Sequence, residues 1–172
     1  MPYGTFEENQ RFTQIWLWIV IIGVSVIILF QVPLNLIKQS GDQPMSTTNI
    51  IVLVCSILFV IGFLALFIFA RLTTRITNDG IEISYRPFFM KPKIFRWTEI
   101  EEAFVRKYNS LWEYGGWGIR YGWKGRAYNT SGNRGLQLIM KSGKKILIGT
   151  HKPEELDAFL KKYIFAENKD YQ

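Results

Sequence analysis

The chain has 172 residues, carries 21 Lys+Arg against 14 Asp+Glu for a formal charge of +7, and is 48% hydrophobic. A single cysteine, Cys55, excludes an intrachain disulfide and a metal site built on cysteines, and no cofactor is expected. With one histidine, His151, and no charge in long stretches of its first 70 residues, the chain points to a membrane location before it points to any chemistry.

Two apolar runs, Ile15 to Leu36 and Ile50 to Ala70, contain no charged residue. Roughly 20 residues at about 1.5 Å each cross the ~30 Å hydrocarbon core, so helices are predicted at about 13–36 and 49–70. Glu7, Glu8 and Arg11 precede the first run, and Val32, Pro33 and Leu34 near its far end stand in place of a small-residue cleavage site, which predicts a retained helix rather than a signal peptide. Pro33 falls near the far end, where its missing N–H is best tolerated.

Lys38 to Thr48 reads as a short polar turn with one basic residue, whereas 19 of the 21 Lys+Arg lie from Arg71 onward. Basic residues near helix ends stay on the cytoplasmic side. The expected topology is an inner-membrane protein with two passes, both termini cytoplasmic and the Lys38–Thr48 turn outside. The cytoplasmic part would then turn a basic surface toward anionic lipid. With no ionisable group in either span except Cys55, transport by the chain alone is not expected. In an antiparallel hairpin turning near Asp42, Gly23 and Gly62 come level and could let the helices approach closely, or could simply face lipid.

From Leu72 the period changes to two. Leu72, Thr74 and Ile76, the turn Asn78-Asp79-Gly80, and then Ile81, Ile83 and Tyr85 predict a β-hairpin. Further strands are predicted over Lys93 to Trp97, Ala103 to Tyr108, Leu136 to Met140 and Lys145 to Gly149, with a turn at Ser142-Gly143. Pro153, Glu154 and Glu155 suit the first turn of a helix whose apolar face is Leu156, Phe159, Leu160, Tyr163 and Ile164. The predicted fold class is α+β: a transmembrane α-hairpin (1–70 with the N-terminal tail), then a curved antiparallel sheet capped by an amphipathic helix (71–166), and a polar tail (167–172).

The second part resembles the bacterial pleckstrin-homology-like (PH-like) domains that follow a two-helix hairpin in small membrane proteins. The resemblance rests on Thr77-Asn78-Asp79-Gly80-Ile81, Trp97-Thr98-Glu99-Ile100, Gly118-Ile119-Arg120, Ala127-Tyr128-Asn129, Gly135-Leu136-Gln137-Leu138 and Lys144 to Thr150 with Pro153 and Leu156. It implies a seven-stranded antiparallel sheet or barrel plus a helix, and no established activity. Phosphoinositide-binding members gather bases in the loop between their first two strands; here that loop is Asn78-Asp79-Gly80, so such a site is not carried over.

The most distinctive stretch runs from Trp112 to Arg126. Taken as extended chain, it turns Trp117, Ile119, Tyr121 and Trp123 one way and Gly118, Arg120, Gly122 and Lys124 the other. Three readings stay open: a core strand whose glycines relieve curvature, an interfacial anchor of aromatics with nearby bases, or a glycine-lined surface that receives a partner's backbone. The candidate partner or lipid contacts are Trp112, Trp117, Arg120, Tyr121, Trp123, Lys124, Arg126 and Arg134.

No nucleophile elbow, phosphate loop or His/Cys metal spacing occurs, so no enzymatic activity is expected. His151 reads as a surface residue before a helix, and Asn129-Thr130-Ser131, a glycosylation acceptor by pattern, lies on the side expected to be cytoplasmic. Bases interleaved with aromatics could bind nucleic acid, but the membrane tether argues against it. Two expectations remain: a membrane-anchored module for protein interaction or assembly, with a second copy or another membrane protein, and a sensor of anionic headgroups. Membrane lipids are partners in either case.

Overall fold

A computed structural model describes residues 4–41, 43–89 and 91–165, the last three by backbone alone. Tyr163 and Ile164 of the expected apolar face, Asp42 of the expected turn and the tail 167–172 therefore fall outside the described side chains. Gln14–Phe69 forms one compact unit, and the described residues on both sides of it form the other.

The helical unit consists of α1 (Ile15–Ser40) and α2 (Thr47–Phe69), 26 and 23 residues long and apolar enough to cross a bilayer. Their most apolar windows are only 11% and 6% buried, whereas the core helix of a soluble protein would be covered. The buried positions are Ile21 and Ser25 of α1, one turn apart, and Val60 of α2. The Ser25 hydroxyl donates to the Ile21 carbonyl at 2.7 Å, which satisfies it within its own helix. Pro33 lies inside α1 without ending it, and the helix runs past residue 36 to Ser40, where Lys38 in the last turn complements the helix dipole. Ser46 caps α2 by accepting from the Asn49 amide at 3.2 Å.

The other unit holds two sheets. The first has the order β1-β2-β3-β4, all antiparallel: β1 (Phe6–Arg11), β2 (Arg71–Ile76), β3 (Gly80–Arg86) and β4 (Lys93–Arg96). The second has the order β5-β8-β9-β7-β6, from β5 (Ile100–Lys107), β6 (Gly118–Gly122), β7 (Gly125–Asn129), β8 (Arg134–Met140) and β9 (Lys145–Gly149).

Three features depart from the sequence expectations. Neither sheet closes into a barrel, and the described residues form nine strands rather than seven. The second sheet is mixed, because β7 pairs parallel with β9. A parallel pair needs a crossover of a dozen or more residues, and residues 130–144, which contain β8 and its turns, supply it. Finally, the segment ahead of α1, expected as a tail, is a strand in register with β2 from Phe6↔Ile76 to Arg11↔Arg71. Its inward positions are Phe6, Glu8 and Gln10, so the usual apolar alternation is missing although the burial alternates.

The sheets share one core. Leu72, Ile76, Ile81, Ile83 and Tyr85 of the first meet Ala103, Leu136, Leu138, Ile146 and Ile148 of the second. Polar β1 side chains cross between the sheets: Gln10 Nε2 donates to the Gly149 carbonyl at 2.6 Å, and Glu8 accepts from the Thr150 hydroxyl and the His151 amide, both at 2.6 Å. The C-terminal helix α4 (Pro153–Phe159) and the π-helical turn Leu160–Phe165 cap the core through buried Leu156 and Leu160, with Phe159 lying 6.0 Å from the Phe6 ring.

Candidate binding groove

Side chains alternate across a strand, so the residues between the core positions of the second sheet face outward. On the face turned away from the shared core, one row is Phe104↔Gln137↔Leu147↔Ala127↔Arg120, read across five paired strands; Leu147 and Ala127 are buried there in a second cluster with Tyr108 and Tyr114, and Gln137 is buried as well. A concavity of about 900 Å³ opens near this face. Phe104, Arg106, Gln137 and Ile139 line it together with Lys144, Lys145, Tyr121, Trp123, Lys124 and Arg126; it holds five bases and no carboxylate.

One rim comes from the Trp112–Arg126 stretch, which is not the continuous extended chain expected. It folds as a short helix, α3 (Ser110–Tyr114), and then as the hairpin β6–β7 with Trp123-Lys124 as a two-residue loop. Asn109 starts α3 by accepting from the Leu111 and Trp112 amides at 3.1 Å each, and left-handed Gly115 ends it. Gly122 and Gly125, paired at the hairpin end, explain the glycines. A Cβ on Gly122 would stand 2.2 Å from the Glu113 carbonyl, and one on Gly125 would stand 2.2 Å from the Lys145 carbonyl. The backbones they admit are the chain's own, α3 and β9, rather than a partner's.

Arg106 and Glu113 brace the groove. Arg106 donates to both Glu113 oxygens at 2.8 and 3.3 Å, to Gln137 Oε1 at 3.0 Å and to the Tyr114 hydroxyl at 3.2 Å. Lys124 Nζ lies 3.4 Å from Glu113 Oε2, and the Asn109 amide donates to Oε1 at 2.9 Å. Burial alone would raise the Glu113 carboxyl, but the Arg106 and Asn109 hydrogen bonds and the charges of Arg106 and Lys124 hold it below the ordinary carboxylate range. Tyr108 is pushed up by burial. Its ring lies over Gly135 and Gly149, which face each other, and its hydroxyl accepts from Asn129 Nδ2 at 3.0 Å.

Of the sequence candidates, Tyr121, Trp123, Lys124 and Arg126 line the groove. Tyr121 and Trp123 are 69% and 79% exposed, the Arg126 guanidinium lies 4.7 Å from the Tyr121 ring centroid, and Lys124 Nζ lies 4.9 Å from that of Trp123. The others lie elsewhere. Trp112, 83% exposed on α3, meets the groove only through its carbonyl, which accepts from Trp123 Nε1 at 3.2 Å. The Trp117 indole donates to the Gly132 carbonyl, Arg120 donates to the Trp117 carbonyl at 2.8 Å, and Arg134 pairs with Glu154 at 2.8 Å. A Cβ on Gly23 or Gly62 would meet nothing within 4 Å, so neither sits at a close approach of the two helices.

Sequence reasoning missed Phe104, Arg106, Gln137, Ile139, Lys144 and Lys145. The alternation of Leu136, Leu138 and Met140 placed Gln137 and Ile139 on the opposite face, but nothing local reveals that β5 and β9 flank β8.

Away from the groove, Ser131 Oγ lies 2.5 Å from His151 Nε2, while the two Glu8 oxygens serve Thr150 and the His151 amide rather than the imidazole. Asn129 is fully buried, its carboxamide oxygen accepting from the Gly118 amide at 2.9 Å. Among the described residues no group of three His, Cys, Asp or Glu could hold a metal ion. Compared with known proteins, the chain matches no family model and no curated protein.

Proposed function

We propose that the chain is an integral membrane protein whose helical hairpin holds a PH-like domain against the cytoplasmic face, where the domain binds an acidic segment of another protein and catalyses nothing. Support for the topology comes from β1. The strand before α1 and the strand after α2 are hydrogen-bonded neighbours in one sheet, so the hairpin must leave and return on the same side. Removal of α1 as a signal sequence would take β1 with it. The excess of Lys and Arg after residue 70 favours the cytoplasm for that side.

The groove carries the functional reading. Arg106 and Lys124 are answered by Glu113, whereas Arg126, Lys144 and Lys145 make no ion pair among the described residues and complement an acidic partner; the exposed Trp123 and Tyr121 offer the aromatic anchors on which binding energy concentrates. Charge disfavours a second copy here, since two basic grooves repel.

The test places a photo-crosslinking residue at Phe104 or Ile139 in the full chain in its native membrane. The expected result is a discrete adduct with one protein, absent from a control position at Lys141 and lost when Lys144 and Lys145 become Glu. Adducts no stronger at the groove than at the control would overturn the reading.

A further inference from the structure

In the first sheet the register Arg11↔Arg71↔Arg86 sets three arginines side by side on neighbouring strands. All three are exposed, and they alternate with the inward Gln10, Leu72 and Tyr85, so they share the outer face. None makes an ion pair among the described residues. The face is graded: next comes a neutral row, Asn9–Thr73–Ser84, and then Glu7–Arg75–Glu82, where two acids bracket one base. Glu7 and Glu82 lie four residues along their strands from Arg11 and Arg86, roughly 13 Å, which exceeds the ~8 Å screening length of physiological salt. Like charges directly opposite one another in a sheet are destabilising, so the row lacks its counter-charge within the chain.

Its place in the chain identifies the missing anion. Only Ala70 separates Arg71 from the end of α2, and three residues separate Arg11 from the start of α1. With those helices across a bilayer, at most about 14 Å of chain connects either arginine to a membrane-spanning segment. β3 ends at the same edge of the sheet, and the loop after it carries Phe88, 46% exposed, and the exposed base Lys91. Trp16 and Trp18, in the first turn of α1, are the aromatics expected at headgroup level. Guanidinium forks match phosphate oxygens two at a time, and all three positions are Arg rather than Lys.

We infer that the Arg11–Arg71–Arg86 row is a binding site for the phosphate groups of anionic membrane lipids, distinct from the protein-binding groove. The inference rests on the membrane-spanning reading above.

The test is native mass spectrometry of the full chain in neutral detergent, titrated with phosphatidylglycerol or phosphatidylcholine. Wild type is expected to retain phosphatidylglycerol in preference. At about 1 kcal/mol per arginine, each Arg→Gln change lowers that affinity roughly 5-fold and the triple variant about 100-fold. Arg→Lys at all three positions keeps the charge, loses the forks and falls between. A control of equal charge change, Arg96→Gln with Lys107→Gln and Lys141→Gln, is expected to bind like wild type; equal loss in both triples would overturn the site. Absence of a headgroup preference in wild type would overturn it too, as would full competition by millimolar inorganic phosphate, which would mark a free-phosphate site. Unchanged far-UV circular dichroism of the variants excludes unfolding as the cause of a loss. Carbonate extraction of native membranes separates the two readings: a chain released by carbonate defeats the membrane reading, whereas a retained chain with unchanged lipid binding in the Arg triple defeats only this inference.

Discussion

The two basic faces of the folded unit treat positive charge in opposite ways. On the second sheet, Arg106 is held by Glu113, Gln137 and the Tyr114 hydroxyl, so its charge is answered within the chain and works as a brace. On the first sheet, Arg11, Arg71 and Arg86 stand in one row with no acid opposite. A cation neutralised internally makes geometry, whereas one left unneutralised stays open to an anion from outside the chain. Neither role can be assigned from a count of bases, because every arginine adds the same single charge to the formal total whichever role it plays.

The sharpest way to break the comparison is to remove the strand that carries Arg11. Phe6 anchors β1, 3% exposed in the shared core and 6.0 Å from the Phe159 ring. Phe6→Ala is expected to cost about 3–5 kcal/mol of stability, read from chemical unfolding of the full chain followed by tryptophan fluorescence. A change below about 0.5 kcal/mol would mean that β1 is a loose tail and that the arginine row loses its first member. A fragment beginning at residue 71 is expected to behave worse still, because it lacks Glu8 and Gln10, which tie β1 to Thr150, His151 and Gly149.

Next in size is the internally answered cation. Glu113→Gln leaves Arg106 and Lys124 without their acid and weakens two charge-assisted hydrogen bonds, for an expected loss of about 1–3 kcal/mol. The sign with pH follows from the lowered carboxyl. A group whose folded value lies below its unfolded one stabilises the fold above the ordinary carboxylate value, about 4.3, and this contribution disappears as pH falls through the lowered value. Unfolding midpoints of wild type and Glu113→Gln are therefore expected to differ near neutral pH and to converge in acid; a constant difference would show that the carboxylate charge plays no part.

What the sequence disclosed follows from the range of each signal. The apolar runs, the Asn78-Asp79-Gly80 turn, the β2–β3 hairpin and the Leu156/Leu160 face are set by neighbours a few residues apart, and they appear in the structure where the local patterns place them. β1 was illegible for two reasons. Its buried positions include Glu8 and Gln10, which defeat a hydrophobic alternation, and its partner lies beyond both helices. The Trp112–Arg126 stretch reads in sequence as one extended run because its glycines suit a strand surface, whereas in the structure Gly115 ends α3 and Gly122 admits the backbone of α3. Tyr121, Trp123, Lys124 and Arg126 were legible as candidates by their chemistry; Arg106 and Lys145 were not, because strand order rather than spacing brings them there.

The smallest expected effect is also the most discriminating, because it has the opposite sign. Arg71 stands between Arg11 and Arg86, so Arg71→Gln removes the charge that repels both. In neutral detergent without anionic lipid this substitution is expected to stabilise the fold by about 0.2–1 kcal/mol, where Glu113→Gln destabilises it. Added salt should raise the stability of wild type toward that of Arg71→Gln, since it screens the same repulsion. Added phosphatidylglycerol should do more, because a ligand bound to the folded row shifts the unfolding equilibrium by mass action, and the variant should gain less from it. If Arg71→Gln destabilised the lipid-free chain, the three arginines would have an internal partner, and the contrast between the two faces would collapse into two versions of the same brace.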